Sequence, residues 1–177
     1  MKHYEMLFFV DYYLNTHVKK DDHVLDLTLG NGNDTLKLST LAAFVTAFDI
    51  QEKAISISKE RLDEHNIKNV RLICDSHENY QNYVNHVDGA IFNLGYLPSG
   101  DKTITTKATI TLETIKRLLE EPDLRFILVT CYQGHEEGNK ESLLLLSYLK
   151  TLEKPFQVST YKMLNKMDAP FVLLIEK

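Results

Sequence analysis

The stretch "VLDLTLGNGNDT", Val24 to Thr35, reads as an apolar strand ending at Asp26, a turn built on Gly30 and Gly32, and the opening of a helix. Glycine at both turn positions lets the backbone bend and come close to a ligand at the helix N-terminus. The same alternation repeats outward from this unit. "AFVTAFDI" (43–50) is a second strand, and the helix after it sets Ala54, Ile57, Ser58 and Leu62 near one face. "VRLIC" (70–74) with "SHENYQNYV" makes a third, weaker unit, and "VDGAIFNL" (87–94) is a strand apolar enough to be covered on both sides. A helix carrying Ile104, Ala108, Leu112, Ile115 and Leu119 stops before Pro122, and "LRFILVTC" (124–131) is the fifth strand. "ESLLLLSYLKTL" (141–152) is helical, and "PFQVSTYKML" and "PFVLLIEK" end the chain as an antiparallel pair.

This pattern predicts an α/β fold over residues 1–177: one domain with a seven-stranded, mostly parallel sheet, an antiparallel last strand, and helices on both faces. Before it, a helix over about Tyr4–Thr16 is expected to face inward through Leu7, Val10 and Leu14. The chain has 177 residues, 44% of them hydrophobic and 25% charged, which are globular proportions that exclude a fibrous or disordered class. A net charge of -5 excludes a generally basic nucleic-acid coat, so any RNA contact must be local. Cys74 and Cys131 lie in apolar runs, where buried thiols and a reducing cytoplasm are expected. No run approaches the length of a membrane span, and no export signal is evident, so no membrane association is expected. The seven His are scattered and show no paired spacing with Cys, so no metal is expected.

A dinucleotide loop needs a third glycine about three residues after Gly32, where Thr35 stands, and Asp34 beside it would repel a pyrophosphate. S-adenosyl-L-methionine meets no such repulsion, because it carries a sulfonium and an ammonium and no phosphate. The rival reading is a plain tight turn with Asp34 as helix cap. Asp49 ends the second strand, about twenty residues past the glycine turn, where a carboxylate can accept both ribose hydroxyls, with Gln51 assisting. Asp75 closes the third strand, followed by Ser76 and His77, placed to border an adenine ring; His77 reads equally as a surface residue at a helix start. These acids converge on the C-terminal sheet edge, where open α/β sheets bind ligands.

The fourth strand runs into "FNLGYLPSGDK" (92–102) at that same edge. There the Asn93 oxygen can accept a hydrogen bond from an amine and aim its lone pair at a donor methyl, and Tyr96 can stack on a flat base. Asp101 and His135 are candidates for taking the amine's proton. An ordinary turn with Asn93 as a strand-end hydrogen-bonder is the alternative. "CYQGHEEG" (131–138) puts Tyr132, His135 and Glu137 on a loop at this edge, able to close over a substrate.

"GNGNDT" (30–35), "FDIQ" (48–51), "FNLGYLPSGDK" (92–102), "GHEEG" (134–138) and "APFVLLIEK" (169–177) together resemble the small bacterial Rossmann-like rRNA methylase family, represented by the MnmM-type tRNA methyltransferases. The resemblance runs from about Val24 to the C-terminus. It implies a Rossmann-like methyltransferase domain using S-adenosyl-L-methionine on the wobble uridine of the tRNA anticodon region. The change is from 5-aminomethyl-2-thiouridine to its methylaminomethyl form; the rival readings are an rRNA or small-molecule N-methyltransferase with the same cofactor site and a non-catalytic cofactor-binding partner of an RNA-modifying complex. It also implies cofactor roles for Asn31, Asn33, Asp34, Asp49, Gln51, Ser76 and His77, with Asn93 and Tyr96 at the transfer site. A lysine group of Lys102, Lys107, Lys140, Lys162 and Lys166 on the catalytic edge would be the mark of an RNA substrate, and a homodimer is left open.

Overall fold

The chain leaves β1 (His23–Asp26) for β2 (Phe44–Asp49) and β3 (Val70–Cys74) on one side. It then returns to β4 (Gly89–Leu94) and β5 (Phe126–Cys131) on the other. In this computed structural model, which describes residues 4–94, 108–133, 136–166 and 169–177, the sheet order is β3-β2-β1-β4-β5-β7-β6. The order of travel reverses between β1 and β4, which pair in parallel through Leu25↔Ala90 and Asp26↔Ile91. At such a switch point the connections diverge and leave a crevice beyond the strand ends. β7 (Phe171–Glu176) runs antiparallel to both β5 and β6 (Gln157–Tyr161), so six strands point one way and one reverses.

Both sheet faces are covered. α4 (Ala108–Leu119) and α5 (Glu136–Leu149) bring Ile115, Leu118, Leu145 and Leu149 against Leu25, Phe48, Phe92 and Ile127. α1 (Tyr4–His17) and α2 (Asn33–Leu41) bring Val10, Leu14 and Leu38 against Val24, Val45, Ile91 and Leu128 on the opposite face. Burial from both sides is why the central strands read as continuous apolar runs. α3 (Glu52–Glu64) buries Ala54, Ser58 and Leu62, the face its periodicity predicts, with Ile57 half-buried. None of the described helices is long and apolar enough to cross a membrane.

Several sequence expectations are corrected. α1 faces inward through Met6, Val10, Tyr13 and Leu14, and Leu7 is exposed. Tyr13 wins the inward place because its ring packs edge-on against Phe126 while its hydroxyl reaches Glu176 Oε1 at 3.1 Å. Cys131 is buried but Cys74 is exposed, since β3 is an edge strand with no neighbour on one side. The segment after β3 is a 3-10 helix, His77–Asn82. α5 begins at Glu136, so Glu137 belongs to a helix rather than to a closing loop. Ile104 lies outside the described residues.

Gly89 pairs with Phe126 across β4 and β5, and a Cβ added at Gly89 would sit 2.3 Å from the Phe126 ring. Gly89→Ala is therefore expected to destabilise the fold by about 1–3 kcal/mol through overpacking. Chemical denaturation should show a lower midpoint at unchanged slope.

Candidate active site

Asp26 ends β1 only 1% exposed, with its carboxylate accepting the Thr35 hydroxyl at 2.5 Å and the Thr28 N–H at 3.2 Å. Burial first, and then the charges of Asp34 and Asp49, push its pKa up to about 7, although both hydrogen bonds oppose the rise. Asp49, at the end of β2, accepts the backbone N–H groups of Gly30 at 3.0 Å and Gln51 at 2.9 Å. The Asp49 carboxylate thus ties the glycine turn to the start of α3, and burial still raises its pKa above the ordinary value.

At Gly32 the turn leaves no room for a side chain. Gly30 and Gly32 both take positive φ, 53° and 72°, and a Cβ on Gly32 would lie 2.7 Å from Ser58 Oγ. Ser58 donates to the Gly30 carbonyl at 3.1 Å, locking the turn against α3. Gly32 is the N-cap of α2 and makes no side-chain cap, so Asp34 is a first-turn residue rather than the cap. Its carboxylate is turned toward β4, where it accepts Asn93 Nδ2 at 3.1 Å. Burial raises the Asp34 pKa, with the Asn93 hydrogen bond acting against it.

That contact orients Asn93. Only its amide nitrogen can donate to the Asp34 carboxylate, so Oδ1 must face the other way. The Asn93 backbone N–H donates to Thr28 Oγ1 at 2.6 Å, which holds the strand end in place. Asn93 Oδ1 is buried and accepts no hydrogen bond. An acceptor of that kind in a folded protein calls for an explanation. Tyr132, just past β5, lies close enough for the Asp34 charge to raise its hydroxyl pKa further, after burial.

His77 is buried, which overturns the surface alternative. Its Nδ1 meets Thr114 Oγ1 at 3.0 Å, and that hydroxyl donates to the Ile110 carbonyl at 2.9 Å. Thr114 is therefore the acceptor, His77 carries its proton on Nδ1, and Nε2 presents a bare lone pair that is buried without a partner. Burial keeps the ring neutral, with its pKa lowered to about 4. Asp75 is occupied otherwise: it accepts Ser76 N–H at 2.7 Å, Asn79 Nδ2 at 3.0 Å and the Tyr83 hydroxyl at 2.8 Å, which hold its pKa below the usual range. Asn31 is half-buried in the turn, and Asn33 opens α2 with its side-chain oxygen accepting from Arg61. Tyr96, Asp101 and His135 lie outside the described residues.

The structure thus gathers Asp26, Gly30, Gly32, Asp34, Asp49 and Asn93 into one cluster. Sequence reasoning missed Thr28 and Thr114, placed Ser58 only on the inner face of a helix, and saw Thr35 only as a missing glycine. The turn spacing gave no signal for them, because each acts through a partner distant in the chain.

Three carboxyls with raised pKa values, Asp26 buried and Asp34 and Asp49 half-buried, give the site a negative potential. The unpartnered acceptors Asn93 Oδ1 and His77 Nε2 call for donors. S-adenosyl-L-methionine fits both demands, with its sulfonium, ammonium, ribose hydroxyls and adenine amine. A cationic ligand favours ionised Asp26, so its binding should tighten as pH rises through about 7. The sign for stability is opposite. Asp26 holds its proton in the folded state up to about 7 but in the unfolded chain only to 3.8, so its contribution favours folding at low pH and is lost as pH rises across that window. Asp26→Asn is expected to raise Tm by roughly 5 °C at pH 8, less at pH 5, while weakening cofactor binding about tenfold and flattening its pH dependence. Calorimetric scans and titrations at both pH values measure this.

A family model described as "Putative rRNA methylase" matches residues 45–177. The chloroplast tRNA (mnm(5)s(2)U34)-methyltransferase of Arabidopsis thaliana is 32% identical over 90% of this chain, which spans 65% of that relative's length. Among solved structures, a "putative rRNA-methylase" from Clostridium thermocellum superposes with a TM-score of 0.92 at 35% identity, covering 97% of this chain and 96% of that one. A "putative methyltransferase" from Streptococcus mutans in complex with SAH superposes with a TM-score of 0.89 at 39% identity, covering 97% of each chain.

Proposed function

The chain belongs to this rRNA methylase family and is an S-adenosylmethionine-dependent methyltransferase, and on that premise we propose that it methylates the 5-aminomethyl nitrogen of wobble 5-aminomethyl-2-thiouridine in tRNA. The observation that carries the reading is the buried, unpartnered Asn93 Oδ1, oriented by the Asp34 contact at the end of β4. When bound, the cofactor supplies an electrophilic methyl group on a positively charged sulfur. Asn93 accepts one N–H of the substrate amine and so directs the nitrogen lone pair, which makes positioning its main contribution. Asp49 receives the ribose hydroxyls, and Asp26 and Asp34 set the negative potential that suits a cation. The glycine turn lets the backbone come near. We assign stacking on the substrate base to Tyr96 and proton removal to Asp101 or His135.

The tRNA acceptor draws support from the name of the Arabidopsis relative and from lysine placement. β6 ends at Tyr161 on the level of Val172 in β7, so the connection carrying Lys162 and Lys166 lies at the same sheet edge as Asn93. Lys140 sits near the start of α5, which enters from that edge. Lys102 and Lys107 lie outside the described residues.

The test is nucleoside mass spectrometry. Purified protein, cofactor and tRNA bearing 5-aminomethyl-2-thiouridine should yield the methylaminomethyl nucleoside, and cells lacking the protein should accumulate the unmethylated one. An unchanged nucleoside profile in both experiments would sink the reading and point to another acceptor.

A further inference from the structure

His77 lies three residues past β3, yet its ring packs edge-on against Phe92 of β4, with centroids 5.4 Å apart and planes 87° from parallel. β2 and β1 stand between those two strands, a separation of about 14 Å. Phe92 is one residue past the level of Asp26, where β1 ends. The chain leaving β3 therefore carries the imidazole across the ends of β2 and β1, to the crevice at the switch point. Thr114 of α4 is fully buried and meets the ring at Nδ1, so Nε2, on the other side of the ring, is turned away from α4. The neighbouring acid is engaged elsewhere, since both oxygens of Asp75 accept from Ser76, Asn79 and Tyr83.

We propose that Thr114 is a positioning residue that fixes the His77 tautomer, so that Nε2 accepts the exocyclic amine of adenine and the site selects an adenosyl over an inosyl cofactor. The inference rests on the cofactor and not on the tRNA acceptor, so either can fail without the other. The Thr114 hydroxyl has one proton, which it donates to the Ile110 carbonyl, and its oxygen can then only accept from Nδ1–H. Thr114 is buried, so no solvent offers that proton another acceptor. With Nδ1 protonated and the ring neutral, Nε2 is an acceptor that has no partner among the described residues. Of the donors on the cofactor, the ammonium is charged and suits a carboxylate, and the ribose hydroxyls fall to Asp49. The adenine amine is the neutral donor left for a neutral imidazole. Hypoxanthine carries a carbonyl oxygen in place of that amine and would set one lone pair against another. A buried group built to pair with a ligand N–H rejects the analogue lacking it, because its own pairing is lost.

The experiment titrates S-adenosylhomocysteine and S-inosylhomocysteine by calorimetry into wild type, Thr114→Val and Thr114→Ser. Nitrogen NMR of the histidine rings, with His77→Gln to assign the signals, reads the tautomer directly. Wild type should bind the adenosyl ligand about 100-fold more tightly than the inosyl one, the usual cost of one mismatched buried pair. Its His77 should be protonated at Nδ1 and bare at Nε2, and the Nε2 signal should move when S-adenosylhomocysteine binds. Thr114→Val keeps the shape but removes the acceptor at Nδ1, so the proton can pass to Nε2. Discrimination should then fall to about tenfold or less, with both tautomers visible, and Thr114→Ser should restore the wild-type pattern. A merely structural threonine would weaken both ligands alike and leave their ratio unmoved, and that result overturns the proposal. Wild type that binds the two ligands equally, or that carries the His77 proton on Nε2, overturns it too, and these two readings decide the matter even where Thr114→Val does not fold. Protein inert on tRNA but with the expected ratios would remove the acceptor reading and leave Thr114 in its role.

Discussion

Asn93→Ala is expected to lower kcat for methyl transfer about 100- to 1,000-fold, the usual loss when one preorganised polar group is removed from a reacting centre. The substitution removes the Oδ1 acceptor but keeps the backbone N–H that donates to Thr28, so the end of β4 should stay in place. Cofactor affinity should change little, because Asp26, Asp49 and the glycine turn are untouched. Asp34 loses its only side-chain donor among the described residues and becomes harder to ionise. Asn93→Asp is the sharper companion. It retains an oxygen but sets a second carboxyl against Asp34, so it should be as inactive as the alanine variant near neutral pH. Single-turnover rates, measured beside calorimetric titration of the cofactor, separate transfer from binding. Transfer at the wild-type rate in Asn93→Ala would remove Asn93 from the mechanism.

Gly32→Ala should produce the largest loss of stability. The residue sits at φ 72°, and holding a residue with a Cβ in left-handed backbone costs about 1–2 kcal/mol. The new Cβ would also lie 2.7 Å from Ser58 Oγ and 2.9 Å from Ser58 Cβ. Relieving that overlap requires α3 or the turn to move, which adds about 1–3 kcal/mol. The two contributions together should lower Tm by roughly 5–15 °C. Cofactor binding should weaken about tenfold as well, since the same backbone approaches the ligand. Ser58→Gly in the Gly32→Ala background tests the division: it should relieve the overlap and leave the backbone strain. Thermal scans of the single and double variants measure the difference, and a Gly32→Ala protein as stable as the wild type would mean that the turn relaxes freely.

Much of the fold could be read from residue patterns, because those patterns report burial. Apolar runs covered on two sides predict parallel strands, and the break at Gly30 and Gly32 marks the first turn. Blurred periodicity carries less information about burial. The aromatic run in α1 hid which residues face inward, since Tyr13 is buried by virtue of a ring contact and a distant carboxylate. α5 starts five residues before the helix its apolar period marks at Glu141, because its first turn is polar. Cys74 lies in an apolar run like Cys131, and only its place on an edge strand exposes it.

By itself the sequence determined the alternation of strands and helices, the glycine turn, and the set of acids at strand ends, because each is a local consequence of residue type and spacing. The tertiary structure decided which of those groups work together. It turned Asp34 from a possible cap into the partner of Asn93, gave Asp75 to the 3-10 helix, and assigned the His77 proton through Thr114 on α4. Hydrogen bonds between residues 37 to 65 positions apart depend on strand order and register, and no local pattern encodes those distances.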